Sequence, residues 1–157
     1  MRLWIVQHGD ALAKHVDPDR PLSEKGRSDV ERLASYLTGC GVRVERVVHS
    51  GKTRAQQTAD ILATALQVRE RVEAVKNLNP MDPPGPFTAE CAATAGDLLV
   101  AGHMPFVGKL ASLLVAARED ANLLGFVPGT AACLERADDG TWSAVCLLRP
   151  EFLPGRC

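Results

Sequence analysis

Aromatic residues make up only 4% of the 157 positions, which leaves little material for base-stacking platforms. Net charge is nearly absent too, since 18 basic and 19 acidic side chains leave a formal value of -1. That balance excludes a protein that coats nucleic acid and a polybasic membrane binder. No apolar run approaches the ~20 residues of a membrane span, and residues 3–6 are too few for a signal-peptide core. The expectation is a soluble, cytoplasmic globular protein. Cysteine is present without pattern. Cys40, Cys91, Cys133, Cys146 and Cys157 form no CxxC pair and have no histidines at metal spacing. An odd set of this kind predicts reduced thiols and no zinc site.

The length fits one domain, residues 1–157, which would bury roughly 68–70% of its unfolded surface. Residues 2–8 read as an apolar strand that stops at Gly9, and residues 14–20 as a polar loop. Ser23 supplies an N-cap hydroxyl for a helix with Arg27, Val30, Leu33, Ala34 and Leu37 at helical spacing, ended by Gly39 and Gly41. A second strand is expected over 46–50, followed by a helix over 53–66 with Ala55, Ala59, Leu62, Ala63 and Leu66 on one face. Residues 77–87 carry four prolines and read as a loop. A third strand over 97–102 ends at His103, and a helix over 105–117 has Pro105 near its first position. Asp139-Gly140 predicts a two-residue turn joining strands 130–137 and 142–148. That register sets Cys133 opposite Cys146 at a non-hydrogen-bonded pair, within geometric reach of a disulfide. Two small buried thiols side by side are the expected state.

Strand–helix alternation of this kind predicts an α/β fold: a mostly parallel sheet covered on both faces, a three-layer α/β/α sandwich, with an antiparallel edge hairpin. Ligands of such sheets bind beyond the carboxyl ends of the strands. Three strands end there in polar residues: Gln7-His8-Gly9, His49-Ser50-Gly51 and Gly102-His103-Met104. Strand ends are where polar residues begin in any case, which accounts for one histidine more easily than for three. Glycine after a histidine lets the main chain approach a ligand closely. Arg54 opens the second helix, where free N–H groups and the helix dipole favour an anion. Arg20 is restrained by Pro21, although a solvated loop arginine is the competing reading. Two histidines and two arginines on one spot describe a phosphate or sulfate site. With a phosphoryl group bound there, a histidine facing phosphorus is a candidate covalent nucleophile.

The same residues carry a resemblance. His8-Gly9-Asp10-Ala11 resembles the RHG motif in its RHGDA form, and Arg20-Pro21-Leu22-Ser23 with Gly26 resembles the RPLT/S…G segment. Ser50 with Arg54-Ala55-Gln56-Gln57-Thr58 resembles S…RAxQT, and Gly102-His103-Met104-Pro105 with Val107-Gly108 resembles GHxPxVG. Four such pieces in order identify the chain as similar to the histidine phosphatase superfamily, most of all its small SixA-type phosphohistidine phosphatases. The resemblance implies a phosphoglycerate mutase-like fold and a phosphatase without metal or other cofactor. It implies a phosphohistidine-containing protein or a small phosphorylated molecule as substrate, and neither nucleic acid nor membrane as partner. His8 would attack phosphorus and His103 would assist, while Gln7, Gly9, Arg20 and Arg54 would hold the phosphoryl oxygens. His15 is expected in solvent, and His49 as a hydrogen-bonded structural histidine. Asp10, Asp17, Asp19 and Asp82 read as solvated loop carboxylates, none marked as a proton donor. An imidazole leaving group has less need of one, because its ring nitrogen has a pKa near 6.5.

Gln7 departs from the family pattern, which has arginine there. Glutamine keeps two amide donors but lacks the charge and the rigid fork. Three readings stay open: a slower enzyme, a nearby cation such as Lys14 or Lys52 in compensation, or a pocket shifted to a less charged ligand. A general phosphomonoesterase and a non-catalytic phosphate-binding module are the alternative functions. Charge is uneven along the chain, with ten basic and eight acidic side chains in residues 1–60, the part that holds His8, Arg20 and Arg54.

Overall fold

Strand β1 (Arg2–Gln7) has no polar face: every residue from Leu3 to Gln7 is buried. A strand of that kind belongs inside a sheet with helices on both sides. Leu3 and Ile5 pack into one core, Trp4 and Val6 into another. The computed structural model, which describes residues 1–68 and 72–155, supplies both covers. Helices α1 (Glu24–Gly39) and α2 (Thr53–Ala65) close the first side, against Trp4, Val6, Val47 and Leu99. Helices α3 (Gly85–Ala93) and α4 (Phe106–Ala116) close the second, against Leu3, Ile5, Val48 and Leu98.

The other strands are β2 (Arg46–His49), β3 (Val72–Ala74), β4 (Leu98–Gly102), β5 (Ala131–Arg136) and β6 (Trp142–Leu148). Their order in the sheet is β3-β2-β4-β1-β5-β6. The pairs β3·β2, β2·β4 and β4·β1 are parallel, and β5 runs antiparallel to both β1 and β6. The mostly parallel sheet with an antiparallel edge hairpin is as expected. Among the described residues, no helix is long and apolar enough to cross a membrane.

Two elements depart from the sequence reading. β3 was not expected. It is a three-residue edge strand with one half-buried and two exposed side chains, too short to show a period. The stretch 77–87 is also not all loop, because α3 begins at Gly85. Its Pro86 lies in the first helical turn, where the missing N–H costs nothing, so proline there marks a start rather than a break. Phe87 then reaches the core edge-on to Phe106 of α4 at 6.3 Å.

The hairpin differs in its turn. Ala137 and Thr141 close a three-residue loop, Asp138-Asp139-Gly140, in which Gly140 takes a φ of 87°. Thr141 N–H and Oγ1 both donate to Asp139 Oδ1. This loop offsets the ladder by one residue from the two-residue expectation, pairing Arg136 with Trp142. An irregularity between Cys133 and Leu134 skips Val145, and Cys133 pairs with Cys146 after all. Cys40, Cys91, Cys133 and Cys146 are free thiols, and Cys157 lies outside the described residues.

The loop after β1 is seated on the start of α1. Ser23 Oγ accepts the Gly26 N–H at 3.0 Å and donates to Asp10 Oδ2 at 2.6 Å, so one hydroxyl caps the helix and ties the loop to it. A Cβ on Gly26 would lie 2.0 Å from the Asp10 carbonyl oxygen, whereas one on Gly39 at the other end of α1 meets nothing within 4 Å. Gly26→Ala should therefore cost about 3 kcal/mol, the upper range for overpacking. Gly39→Ala should be neutral or stabilising by up to about 1 kcal/mol. Urea midpoints of the two variants check this contrast.

Candidate active site

The strand order places the carboxyl ends of β2, β4 and β1 side by side. His49 is in register with Ala101, and Gln7 with Gly102, so Ser50, His103 and His8 emerge at one edge of the sheet. The His8 and His103 rings lie 4.9 Å apart at 59°. Nδ1 of His8 is 2.7 Å from the Gly9 carbonyl oxygen, an acceptor only, so that nitrogen carries the proton. The lone pair is then on Nε2, which receives the Nε–H of Arg54 at 3.1 Å. His103 is 1% exposed. Its Nε2 lies 2.6 Å from Ser50 Oγ, and its Nδ1 is buried with no hydrogen-bond partner among the described residues.

Helix α2 does more than deliver Arg54. Its residues 54, 57 and 58 share one face, and all three turn to the loop after β1. Gln57 Oε1 accepts the Leu22 N–H at 2.8 Å, and Thr58 Oγ1 accepts the Gly9 N–H at 3.1 Å. The Thr58 proton goes to the Arg54 carbonyl at 2.8 Å. The Gly9 amide is thus engaged by protein. The glycine is also needed sterically, since a Cβ there would come within 2.8 Å of the Gly26 carbonyl oxygen and Val30. Arg20 closes the same loop. Its φ is 49°, its N–H donates to the Asp17 carbonyl, and its Nε donates to the Leu12 carbonyl at 3.1 Å.

Gln7 is buried, and its Oε1 has no partner among the described residues. Its backbone N–H donates to the Thr130 carbonyl, and its own carbonyl accepts from Gly129. His49 is a structural histidine: Nδ1 accepts the Gly51 N–H at 3.1 Å, holding the turn into α2. His15 is exposed. Ser50, Gln57 and Thr58 belong to the motif around Arg54, but the motif alone gives them no task. Their spacing around Arg54 was the available signal.

Electrostatics favour neutral rings. Burial pushes the His103 pKa down to about 3, and His8, Arg54, Lys52 and Arg20 add to the fall. Burial also lowers the His8 pKa, and Arg54 and Arg20 act in the same direction, against the Gly9 hydrogen bond and Asp10. Arg54 is itself held below its ordinary value by burial and by Arg20. Among the described residues Arg20, Lys52 and Arg54 form no ion pair with a carboxylate. A cluster of uncompensated cations around two neutral imidazoles is suited to an anion. Among the described residues, no group of three or more His, Cys, Asp or Glu side chains is arranged to hold a metal ion.

A histidine kept neutral in the fold resists protonation that the unfolded chain accepts. Its stabilising effect is complete above 6.5 and is lost progressively as pH falls toward about 3. Wild type should therefore lose stability relative to His103→Gln as the pH is lowered below 6.5. Denaturant titrations across that window measure the difference. A pH-independent difference would show that His103 is not held neutral.

Residues 3–84 match the histidine phosphatase superfamily (branch 1). The phosphohistidine phosphatase SixA of Escherichia coli (strain K12) is 33% identical over 119 residues, which is 73% of this chain and 74% of that protein. The structure of the protein histidine phosphatase SixA complexed with tungstate superposes with a TM-score of 0.85 at 27% identity, covering 96% of this chain and 97% of that one. A putative alpha-ribazole-5'-P phosphatase from Escherichia coli str. K-12 substr. MG1655 has a TM-score of 0.71 at 18% identity over 96% of this chain and 98% of that one, a likeness of fold. The chain belongs to the histidine phosphatase superfamily and is a phosphatase.

Proposed function

We propose that the chain is a phosphohistidine phosphatase that works through a covalent phosphohistidine on His8. Its substrate is a phosphohistidine-bearing protein or a small phosphoramidate. The observation that carries this reading is the hydrogen bonding of His8. Its proton is held on Nδ1 by the Gly9 carbonyl, and its Nε2 lone pair lies beside the cations. In the first step Nε2 bonds to phosphorus as the bond from phosphorus to the substrate nitrogen breaks. A substrate imidazole protonated on its distal nitrogen departs as a neutral ring and needs no carboxylic acid. Water then attacks phosphorus, the His8–phosphorus bond breaks, and inorganic phosphate leaves with the water's protons shared between it and solvent. Arg20, Arg54, His103 and the Gln7 amide take the charge spread over the phosphoryl oxygens in both steps. Asp10, a carboxylate whose charge reaches His8, is engaged by the Ser23 hydroxyl, which fits a reaction without an acid.

The name of the Escherichia coli relative and the tungstate in the related structure support the same chemistry. We read residues 1–157 as one catalytic domain. Cys133 and Cys146 facing each other as thiols fit a reducing, cytoplasmic setting. Wild type should release phosphate faster from a phosphohistidine protein than from p-nitrophenyl phosphate, and His8→Ala should release none. Faster turnover of the ester makes the chain a general phosphomonoesterase. Phosphate binding without turnover of either compound makes it a binding module.

Lys52 is the cation that compensates for Gln7, because its charge reaches His103 while Lys14 lies exposed on the loop after β1. Restoring arginine strengthens a neutral hydrogen bond to a charged one, so Gln7→Arg should raise kcat/KM about tenfold. The gain should be larger in a Lys52→Met background. A loss with Gln7→Arg would mean that the glutamine is matched to a less charged substrate.

A further inference from the structure

One turn of helix α2 holds both nitrogens of the His8 ring. Arg54 Nε donates to Nε2 directly, at 3.1 Å. Nδ1 is reached indirectly, since its proton goes to the Gly9 carbonyl at 2.7 Å and the Gly9 N–H goes to Thr58 Oγ1 at 3.1 Å. The Thr58 proton returns to the Arg54 carbonyl at 2.8 Å and closes the circuit. We propose that Thr58 is a positioning residue: by fixing Gly9 it holds the Nδ1 side of His8, so that Nε2 faces phosphorus when Arg54 gives up that lone pair. This rests on the reading of His8 as the nucleophile.

The direction of each bond in the circuit is fixed. A backbone N–H only donates and a carbonyl only accepts, so the threonine hydroxyl accepts from Gly9 and donates to Arg54. The two anchors of the ring differ in what attack on phosphorus demands of them. Nε2 cannot bond to phosphorus while the Arg54 Nε–H occupies its lone pair, so that bond is exchanged for one to a phosphoryl oxygen. The Gly9 bond persists throughout, and it then orients the ring. Gly9 needs an outside tie to do this. A Cβ there would come within 2.8 Å of the Gly26 carbonyl oxygen and Val30, so the residue is glycine, which has no side chain to restrict its own backbone. Among the described residues its N–H has Thr58 Oγ1 as partner, and its carbonyl has the His8 ring. Thr58 is itself fully buried, on the same face of α2 as Arg54. The Gly9 amide, expected to hold a phosphoryl oxygen, is thereby given a different task.

Valine at position 58 keeps the branched shape and removes the hydroxyl. Thr58→Val should lower kcat/KM for a phosphohistidine protein about tenfold, the worth of one hydrogen bond, and Thr58→Ser should restore it. The Ki of inorganic phosphate as a competitive inhibitor should not rise, because the side chains of Arg20, Lys52 and Arg54 are unchanged. Nitrogen-15 NMR of histidine-labelled protein reads the ring without any activity. In Arg54→Met, which frees Nε2, His8 should keep a protonated Nδ1 and a bare Nε2, its signals assigned by their loss in His8→Gln. Adding Thr58→Val should shift both resonances toward a mixed tautomer, and adding Thr58→Ser should not. Resonances that stay in place in Arg54→Met/Thr58→Val overturn the proposal. So does a Ki that rises in step with the fall in kcat/KM, which marks a loosened fold. If Thr58→Val does not fold, Thr58→Ala takes its place in both measurements. Wild type that turns over neither a phosphohistidine protein nor p-nitrophenyl phosphate rejects His8 as the nucleophile, and the nitrogen spectra still decide whether Thr58 orients its ring.

Discussion

The site depends on keeping two imidazoles neutral among three cations. His8 and His103 lie 4.9 Å apart, with the charges of Arg20, Lys52 and Arg54 bearing on His103. A protonated His103 would meet the like charges of Arg54, Lys52 and Arg20 and lose its hydration as well. Neutrality leaves each ring one N–H and one lone pair, and the neighbours decide which nitrogen has which. A carbonyl sets this for His8, while Ser50 Oγ is the partner of His103 Nε2. Among the described residues the cations have no carboxylate partners.

Holding like charges together is unfavourable, and the scaffold around them is well hydrogen-bonded. Three residues on one face of α2 bind His8 and the loop that follows it. That loop is in turn wedged against α1, where Gly26 lets the Asp10 carbonyl approach the helix backbone. Arg20 occupies a left-handed backbone conformation and is held by carbonyls at both its N–H and its Nε. These contacts orient the side chains in advance, and the cost of ordering them is met in folding rather than in binding.

Gln7 alters the balance of this cluster. At the carboxyl end of the central strand it offers an amide where the family resemblance has a guanidinium, and its Oε1 is buried without a partner. Arginine could only donate there, whereas glutamine brings an acceptor along with its donors. Lys52, at the head of α2, bears on the neighbouring His103 ring.

Much of this was legible in the chain itself. The apolar run into Gly9, the Ser23 cap and the spacing around Arg54 are local properties, and local chemistry settles them: glycine for close approach, a hydroxyl for a helix start, a 3.6-residue period for a buried face. The face-to-face pairing of Cys133 and Cys146 was also read correctly, but from a two-residue turn. The structure reaches it by a three-residue loop and a compensating irregularity. β3 and α3 were not legible, because three residues, two of them exposed, show no period and prolines at a helix start resemble those of a loop. The partners of the two histidines were beyond reach of the sequence as well. Ser50 and His103 are 53 residues apart, Arg54 and His8 are 46 apart, and they meet only because β2, β4 and β1 lie side by side. The sequence by itself determined which chemical groups are present and which local turns present them. Tertiary structure alone decided which nitrogen faces which hydrogen-bond partner, because that depends on strand order and register, and neither is a local property of the chain.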